Sequence, residues 1–336
     1  MADRVLVTGG TGFLGKRTVL ELLERGYDVR TTVRDLGSED TIRTDLAAAG
    51  IAPGNRLEVV AANLTSDEGW PEAAADCRYV LHIASPFPPE QPKDPDELIV
   101  PAREGAKRAL AAALDAGAER VVLTSSVAAI HGRSDNSEAH PLNEDDWTDG
   151  DSTSNTPYTR SKTLAERAAW ALAEDRGARD RLATVNPGAI IGPVLGEERS
   201  YSLQAIGRLL EGDMPAIPKL GFSFVDVRDV ADLHIRAMTD DAAGGRRFVA
   251  VDRFLWFSEV AAILRDRLGE DAKKVPTREA PNLLIKAVAL FDKSVKPIIG
   301  DLGVRTYMSS ERARSELGWE PRPIEDSVTD CARSLL

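Results

Sequence analysis

The sequence predicts an α/β protein in which a doubly wound parallel sheet is followed by a smaller, mostly helical C-terminal domain. Two observations support this fold. Over roughly the first 190 residues, short β-branched runs alternate with helical patterns, and strands separated by helices form parallel sheets covered on both faces. After residue 187 the pattern becomes less regular and richer in glycine and proline. We expect one domain at 1–187, with 224–255 returning to it, and a second at 188–223 and 256–336.

The individual elements follow from local patterns. Strands are expected where valine, leucine and threonine cluster, at 4–8, 29–33, 57–61, 79–83, 120–124 and 182–186. Helices are expected between them, at 12–25, 41–49, 70–75, 100–116 and 161–176. Farther on, the sequence predicts strands at 224–227 and 248–251, a helix beginning near Val230, and helices at 257–268 and 282–293. Right-handed crossovers place the carboxyl ends of the parallel strands along one edge, where ligands bind.

Two long polar stretches interrupt this alternation. The stretch at 85–97 contains five prolines, which exclude a regular element there: Pro86, Pro88, Pro89, Pro92 and Pro95. The stretch at 133–157 is rich in aspartate, asparagine, serine and glutamate. A loop this long in a compact domain is usually functional or disordered. Because both stretches follow predicted strands, we expect both at the ligand-binding edge.

The composition excludes several classes of protein. The 54 acidic and 42 basic residues give a net charge of −12, which disfavours binding to nucleic acid or to an anionic membrane. We find neither an apolar run that could span a bilayer nor a secretory signal. Two distant cysteines, Cys77 and Cys331, and four histidines without ligand spacing indicate neither disulfides nor a metal site. We expect a cytoplasmic protein without a metal, either a monomer or a homodimer.

A glycine-rich turn directly follows the first strand and opens the first helix. It spans residues 8–15, and its glycines have the spacing G-x-x-G-x-x-G. Glycine lets the backbone turn tightly and approach a pyrophosphate, for which the helix N-terminus supplies N–H groups and partial positive charge. The strand–turn–helix context makes the motif far more specific than the glycine spacing alone. It predicts a Rossmann-type dinucleotide site formed by Gly9, Thr11, Gly12, Phe13, Leu14 and Gly15.

The end of the second strand indicates which dinucleotide is bound. NAD-binding domains usually place an acid there to bind the ribose 2′-hydroxyl, but this strand ends in Val33 and Arg34. A guanidinium binds a 2′-phosphate through paired hydrogen bonds, whereas a carboxylate repels it. We therefore predict NADP(H), with Arg34 at the phosphate. Asp35 is the counter-argument, because a shift of one residue would bring its carboxylate to the ribose. Arg43 is either a second phosphate ligand or a solvated helix residue.

The loops after the third and fourth strands supply further candidates. Asn63 and Leu64 follow the third strand, where an amide or an acid can read the adenine amino group. Ala84 and Ser85 follow the fourth strand and are expected on the ribose side. Ordinary loop packing is the alternative for all four residues.

A serine, a tyrosine and a lysine form a second constellation. The fifth strand ends at Ser125 and Ser126, and Tyr158 and Lys162 form a Y-x-x-x-K motif that opens a later helix. Tyrosine and lysine at this spacing share one helix face, and a nearby ammonium lowers the pKa of a phenol from about 10. We predict that Tyr158 exchanges the proton, that a serine holds the substrate oxygen, and that Lys162 positions the cofactor. The motif carries weight only together with the glycine-rich turn.

These residues resemble the extended short-chain dehydrogenase/reductase superfamily. Within it, the chain looks like the group of dihydroflavonol reductases, cinnamoyl-CoA reductases and microbial aldehyde or methylglyoxal reductases. The resemblance covers nearly the whole chain. It rests on VLVTGGTGFLG at 5–15, TTVRD at 31–35, HIASPF at 82–87, VVLTSSVAAI at 121–130, LNEDDW at 142–147, YTRSK at 158–162, VNPGAIIGP at 185–193 and FVDVRDVADLH at 224–234.

The resemblance implies NADPH-dependent, reversible reduction of an aldehyde or ketone to the alcohol. It implies the catalytic set Ser126, Tyr158 and Lys162, and so favours Ser126 over Ser125. It also implies that three residues leaving the sixth strand approach the nicotinamide: Pro187, Gly188 and Ile190. A simple bend in the chain at Pro187 and Gly188 is compatible with that role.

The substrate pocket departs from one pattern of this group. Flavonoid reductases often carry asparagine five residues after the catalytic serine, but here the position is His131, which argues against a flavonoid substrate. A solvated loop histidine is the alternative. An apolar, partly aromatic wall would suit an aryl or alkyl carbonyl compound. The candidate wall residues, from the sheet edge and the C-terminal substrate domain, are Phe87, His131, Tyr201, Leu203 and Phe222.

Other functions remain open on this scaffold: a nucleotide-sugar epimerase or dehydratase, a 3β-hydroxysteroid dehydrogenase-like enzyme, and a non-catalytic NADP sensor. Dehydratases usually carry an acidic pair beside the serine, where this chain has Val127 and Ala128, and a sensor is expected to lose the tyrosine or the lysine. Two acidic runs predict structural roles. Residues 226–229 should cap the following helix and tie the two domains together, and residues 144–146 should form a solvated loop face.

Overall fold

The protein was analysed as a computed structural model, which describes residues 2–86, 92, 94–197, 200–288 and 296–336. Within these ranges, none of the helices combines the length and the apolar character that crossing a bilayer requires.

Strands and helices alternate through the first half of the described chain. The strands are β1 (Arg4–Thr8), β2 (Asp28–Val33), β3 (Leu57–Ala61), β4 (Tyr79–His82), β5 (Arg120–Thr124), β6 (Leu182–Pro187), β7 (Ala189–Ile191), β8 (Ile217–Pro218), β9 (Gly221–Asp226), β10 (Arg247–Ala250), β11 (Arg253–Trp256) and β12 (Glu279–Ala280). The helices are α1 (Phe13–Glu24), α2 (Glu39–Ala48), α3 (Trp70–Ala74), α4 (Asp96–Asp115), α5 (Pro157–Asp175), α6 (Tyr201–Glu211), α7 (Val227–Thr239), α8 (Phe257–Leu268), α9 (Asn282–Val288), α10 (Glu311–Leu317) and α11 (Ile324–Leu335).

The main sheet is parallel, with the strand order β10-β6-β5-β4-β1-β2-β3. This order confirms the predicted doubly wound Rossmann-type fold. From β1 the chain adds β2 and β3 on one side and then β4, β5, β6 and β10 on the other, so the order of the strands switches sides between β1 and β4. Ligands of such sheets bind outside the carboxyl ends of the strands at this switch point. Strand β10 lies beside β6, in the segment expected to return to the first domain. The division of the chain into two domains stays a prediction.

Both faces of this sheet are buried, because successive strand residues point to opposite sides. Val5 and Val7 of β1 belong to a core with α1, α2 and α7, whereas Leu6 belongs to a core with α3, α4 and α5. This explains why the strand is apolar without alternation. These two clusters of side chains, which together form the first core, cover the two faces of the sheet.

The helix that carries the Y-x-x-x-K motif begins four residues earlier than the predicted start at 161. Thr156 caps it by accepting a hydrogen bond from the N–H of Thr159 at 3.1 Å, and Pro157 occupies the first helical position, where its missing N–H costs nothing. Tyr158 therefore lies in the first turn of a well-defined helix.

A second sheet, with the order β11-β9-β7, supports the C-terminal part of the chain. Helices α6, α8 and α11 pack over it around a second core that includes Leu209, Phe224, Leu264 and Val328. The predicted strand at 224–227 is β9, which begins earlier, at Gly221. Helices α6, α10 and α11 were not predicted from the sequence. The predicted helix at 282–293 corresponds to α9, and residues 289–295 lie outside the described part.

Helix α7 begins at Val227 rather than near Val230, because Asp226 caps it. The Asp226 carboxylate accepts a hydrogen bond from the N–H of Arg228 at 2.8 Å. The Arg228 guanidinium in turn donates to Asp226 and to Asp330 of α11. Asp229 accepts hydrogen bonds from both the N–H and the side chain of Arg322. The predicted capping role is thus confirmed, and these ion pairs connect α7 to the C-terminal residues.

The packing of β10 generates a test of stability. Phe248 is fully buried against the first core, so Phe248→Ala should lower the free energy of unfolding by about 3–5 kcal/mol. Phe222, which is 39% exposed and touches two other rings, is the matched control and should cost roughly 1 kcal/mol. Urea unfolding followed by circular dichroism measures both. Equal losses for the two variants would contradict this assignment of the core.

Candidate active site

The glycine-rich turn lies where the strand order reverses, between the end of β1 and the start of α1. Gly9 has a φ of +77°, a region that favours glycine. At Gly15 a Cβ atom would stand 2.0 Å from the carbonyl oxygen of Gly9. Glycine at 15 therefore lets the helix pack directly on the turn, as the sequence analysis expected.

The donors at this turn fit a pyrophosphate. No side chain caps α1 at Gly12, and its first turn holds no acidic residue. The N–H groups of the first turn, at Phe13, Leu14 and Gly15, therefore have no acceptor within the helix and face the end of the sheet with a partial positive charge. Thr11, beside them, is exposed. A dinucleotide phosphate would satisfy these donors.

The end of β2 presents a cation. Arg34 is exposed directly after β2. The Asp35 carboxylate is engaged in its own turn, where it accepts a hydrogen bond from the N–H of Gly37 at 3.0 Å. Arg43 contacts Glu39 and the carbonyl oxygen of Leu57, at 2.8 and 2.9 Å, so its guanidinium is used within the fold. Of the three candidates, Arg34 is exposed, Asp35 is exposed but engaged in its own turn, and Arg43 is half-buried.

The residues after β3 are partly used by the fold. The side-chain oxygen of Asn63 accepts hydrogen bonds from the N–H and the hydroxyl of Thr65, at 3.1 and 3.0 Å. The side chain of Leu64 packs against Gly105 of α4, where a Cβ atom would come within 2.8 Å of it. Asn63 remains exposed at the edge of the sheet, and Leu64 is half-buried.

A threonine and a histidine that the sequence analysis did not assign hold the loop after β4. The Thr8 hydroxyl oxygen accepts hydrogen bonds from the N–H groups of Ile83 and Ala84, both at 3.0 Å, and it lies 2.9 Å from Nδ1 of His82. This arrangement ties Ala84 to the strand that leads into the glycine-rich turn, and the half-buried Ser85 follows it. The sequence signal for this role was the position of His82, a polar residue at the end of an otherwise apolar strand.

Ser126 and Tyr158 come together at the ends of β5 and α5. Their side chains form a hydrogen bond with each other, and the Ser126 hydroxyl also accepts from the N–H of Ala128 at 3.1 Å. Lys162 lies one helical turn after Tyr158, with its Nζ 5.9 Å from the centre of the tyrosine ring. The competing Ser125 instead donates its hydroxyl to a buried carboxylate at 2.5 Å. The structure therefore brings together the three residues of the predicted catalytic set.

The ionisation of this set differs in one respect from expectation. Burial raises the pKa of Tyr158, and the hydrogen bond with Ser126 offsets only part of that rise. The expected lowering of the Tyr158 pKa by the Lys162 ammonium is wrong, because desolvation of the phenolate dominates. Burial also lowers the pKa of Lys162 to about 8. The pKa of His82 falls to about 3, mainly because of burial and to a smaller extent because of the positive charge of Lys162. That last interaction places Lys162 near the turn after β4.

The residues leaving β6 lie at the same edge. Pro187 is buried at the end of the strand, and Gly188 donates its N–H to the carbonyl oxygen of Ala250 at 3.0 Å. A Cβ atom at Gly188 would stand 2.1 Å from the carbonyl oxygen of Ser223, so glycine allows this close passage. Ile190 in β7 is half-buried. The bend that the sequence analysis considered is therefore present.

The candidate wall residues differ in their exposure to solvent. Phe222 and His131 are exposed. Leu203 is only 1% exposed and lies inside the second core, so its assignment as a wall residue was wrong. Phe87 and the side chain of Tyr201 lie outside the described residues. Phe222 contacts the rings of Phe224 and Phe257 edge-on, which leaves an aromatic face toward solvent.

The polar stretch that begins after His131 is fastened to a C-terminal segment. Leu142 and Met308 form an isolated parallel bridge, in which Leu142 donates to the carbonyl oxygen of Tyr307 and accepts from Ser309, both at 2.9 Å. Asn136 adds two hydrogen bonds to the backbone of Tyr307. The predicted loop is thus ordered by residues that follow it by more than 160 positions.

Two acidic residues differ from expectation or were missed. Glu144 was expected in a solvated loop face, but it is only 4% exposed and accepts a hydrogen bond from the N–H of Val249 at 2.9 Å. Its burial follows from the docking of its loop on β10. Glu166, one turn beyond Lys162, is completely buried and was not singled out. Among the described residues, no group of histidine, cysteine and acidic side chains could hold a metal ion.

The buried ammonium of Lys162 yields a prediction about stability. Its pKa, about 8 in the folded state, lies below the ordinary value of 10.5, so at pH 7 the folded protein bears the full cost of burying the charge. Lys162→Met should therefore raise the free energy of unfolding at pH 7 by about 1–3 kcal/mol. The gain should shrink as pH rises from about 8 toward 10.5. Denaturant unfolding at pH 7 and at pH 10 measures this, and a variant less stable than wild type at pH 7 would contradict it.

Comparisons with known proteins identify the family. The NAD dependent epimerase/dehydratase family matches residues 5–250. Cinnamoyl-CoA reductase CAD2 of Medicago truncatula is 35% identical over 340 residues, which cover 100% of this chain and 96% of that protein. Tetraketide alpha-pyrone reductase 2 of Arabidopsis thaliana is 34% identical, covering 78% of this chain and 82% of that protein. The structure of Gre2 from Candida albicans in complex with NADPH has a TM-score of 0.77 at 26% identity, covering 99% of this chain and 98% of that one.

The glycine-rich turn, the paired serine and tyrosine, and these alignments over nearly the whole chain agree. The chain belongs to the NAD-dependent epimerase/dehydratase family, the extended short-chain dehydrogenases/reductases, in the group that contains the cinnamoyl-CoA reductases.

Proposed function

We propose that this protein reduces an aldehyde or ketone to the alcohol with NADPH, and that the reaction is reversible. The observation that carries the proposal is the hydrogen bond between Ser126 and Tyr158 at the carboxyl edge of the sheet, with Lys162 one helical turn away. These groups supply a proton donor, a partner for a carbonyl oxygen and a cation beside the dinucleotide site. Such an arrangement serves proton exchange at an oxygen that changes charge.

The relatives support reduction over the other functions open to this fold. Cinnamoyl-CoA reductases and tetraketide alpha-pyrone reductases match this chain at 31–35% identity. An epimerase among the similar structures is 20% identical, which bears on the fold alone. The positions after Ser126 are Val127 and Ala128, in a short turn without carboxylates. An acid-assisted dehydration at that place has no residue to perform it.

Residues along the carboxyl edge of the sheet would contact each part of NADPH. The N–H groups at the start of α1 would bind the pyrophosphate, and Arg34 would bind the 2′-phosphate. Asn63 and Leu64 would lie at the adenine, Ala84 and Ser85 at the ribose, and Pro187, Gly188 and Ile190 at the nicotinamide. When bound, NADPH supplies the hydride.

Tyr158 would donate the proton that the carbonyl oxygen needs. Burial raises the pKa of its hydroxyl, so the phenol keeps its proton at neutral pH. Ser126 would donate a hydrogen bond to the same oxygen and hold it beside the phenol. Lys162 would bind the ribose hydroxyls through its ammonium and attract the negative charge left on the tyrosine. In the reverse direction the phenolate would remove the proton from the alcohol.

The exposed aromatic ring of Phe222 suits a substrate with an apolar group beside its carbonyl. An aryl or alkyl aldehyde or ketone has this character. His131, in place of an asparagine, disfavours a flavonoid.

The proton donor can be tested directly. Tyr158→Phe should lower kcat by about 10²–10⁴-fold, because the ring is retained while its proton is lost. NADPH binding, measured by fluorescence titration, should survive. The matched control is Tyr307→Phe, whose ring lies beside Arg305 in the C-terminal segment. Full activity of Tyr158→Phe toward a panel of aldehydes, diketones and ketoesters would remove Tyr158 as the donor.

Cofactor choice depends on Arg34. Arg34→Ala should raise KM for NADPH by about 10–100-fold, which corresponds to a loss of ~1.5–3 kcal/mol from charged hydrogen bonds. KM for NADH should change little, since NADH has no 2′-phosphate. Steady-state kinetics with both cofactors provide the measurement. Equal increases for the two would show that Arg34 does not read the phosphate.

A further inference from the structure

Glu166 lies completely buried in α5, one helical turn after Lys162. Its two oxygens are surrounded by donors from four parts of the fold. Oε1 accepts from Arg247 Nε at 2.6 Å, Thr184 Oγ1 at 3.1 Å and Trp170 Nε1 at 3.3 Å, and Oε2 accepts from Ser125 Oγ at 2.5 Å, Asn186 Nδ2 at 2.8 Å and Arg247 Nη2 at 3.3 Å. Only an ionised carboxylate accepts from so many donors at once, and Arg247 is its counter-ion.

This carboxylate is linked to the turn that carries Ser126. Ser125, the preceding residue, donates its hydroxyl to Glu166. Asn186 donates its amide both to Glu166 and to the carbonyl oxygen of Ser126, the latter at 3.2 Å. The turn of Ser126 is therefore bound to Glu166 in two ways, directly through the side chain of Ser125 and indirectly through Asn186. The direction of the Ser126 side chain follows from this backbone.

The partner Arg247 fastens the segment that precedes α5. Its Nη1 donates to the carbonyl oxygens of Glu144 and Asp146, at 2.8 and 2.7 Å. Its guanidinium carbon lies 3.6 Å from the centre of the Trp147 ring. Arg247 is itself only 6% exposed. The ion pair thus joins three regions that meet around the catalytic set: the turn after β5, strand β6 and the segment before Tyr158.

The same carboxylate faces Lys162 from its own helix. The other titratable groups near this ammonium are Tyr158, also on α5, and His82 from β4, whose burial keeps it neutral. Arg247, on β10, contacts Glu166 directly. Burial lowers the pKa of Lys162, and the negative charge of Glu166 opposes that shift. Glu166 is thus the charge that favours the ammonium form.

A buried ion pair needs a reason beyond stability. Apolar residues of similar volume are often equally stable, because desolvating two charges costs about as much as their attraction returns. We propose that Glu166 is a positioning residue, which with Arg247 orients the turn of Ser126 and sets a fixed negative charge opposite Lys162. This inference rests on the proposed function, since it assigns Glu166 a task in the same reaction.

The principal test compares Glu166→Gln with Glu174→Gln. Glu174 lies on the exposed face of the same helix, paired with Arg179, so its variant removes one charge from α5 away from the site. Glu166→Gln should lower kcat at least ~10-fold and move the alkaline limb of the kcat profile down by about one pH unit, because Lys162 loses the charge that favours its ammonium. NADPH affinity at pH 6.5 should stay within about threefold. Glu174→Gln should match wild type.

Two further variants separate geometry from charge. Glu166→Asp keeps the charge, so its alkaline limb should remain where wild type has it. Asn186→Ala keeps the ion pair but removes the link to the Ser126 carbonyl, and should lower kcat ~5-fold or more without moving the limb. Should Glu166→Gln fail to fold, Asn186→Ala decides the matter.

The outcomes are distinct. A folded Glu166→Gln with the wild-type pH profile and the kcat of Glu174→Gln overturns the proposal, as does an Asn186→Ala variant with full kcat. Absence of NADPH-dependent reduction in wild type and in Glu174→Gln alike overturns the proposed function instead.

Discussion

Every strand of the main sheet runs in the same direction, and this constraint determines where chemistry is possible in the molecule. The carboxyl ends of β1, β2, β4, β5 and β6 share one edge, although the residues that follow them are far apart in the chain. The uncapped start of α1, the exposed Arg34, and Ser126 beside Tyr158 all lie along this edge. The position of the candidate site therefore follows from the parallel topology of the sheet, which brings these distant residues to one edge.

Burial and charge oppose each other around α5, and the balance suits reduction. Desolvation favours the neutral form of every group: it raises the pKa of Tyr158 and lowers the pKa of Lys162. A protonated phenol is the form that a proton donor needs. The ammonium would be lost more readily without Glu166, which supplies the opposing negative charge. The helix thus keeps the phenol of Tyr158 protonated and retains the Lys162 ammonium one turn away.

Much of the fold could be predicted because its signals are local. The apolar run of β1, the glycines at 9, 12 and 15, and the Y-x-x-x-K spacing each reflect a constraint within a few residues. The doubly wound sheet followed from the alternation of predicted strands with predicted helices. Helix α11 carried a usable signal too, since its buried residues Ile324, Val328, Cys331 and Ala332 recur at helical spacing, but its charged surroundings masked them.

The rest of the site depends on contacts between distant segments, which a single sequence does not display. The burial of Glu144 depends on β10, about 100 residues later, and the use of Glu166 depends on Asn186 and Arg247. The pKa of Tyr158 depends on how deeply its hydroxyl is enclosed, which spacing alone does not give. Leu203 was a candidate for an apolar pocket wall, yet its helix places it inside a core.

The parallel bridge between Leu142 and Met308 has a consequence for anyone who wishes to redesign this molecule. The stretch that leads from His131 toward the tyrosine is not an autonomous surface loop, since its backbone partner is contributed by the tail of the chain. Grafting that stretch from another member of the family would leave its new backbone without a matched strand. Transplants should therefore exchange both partners together, as one discontinuous cassette.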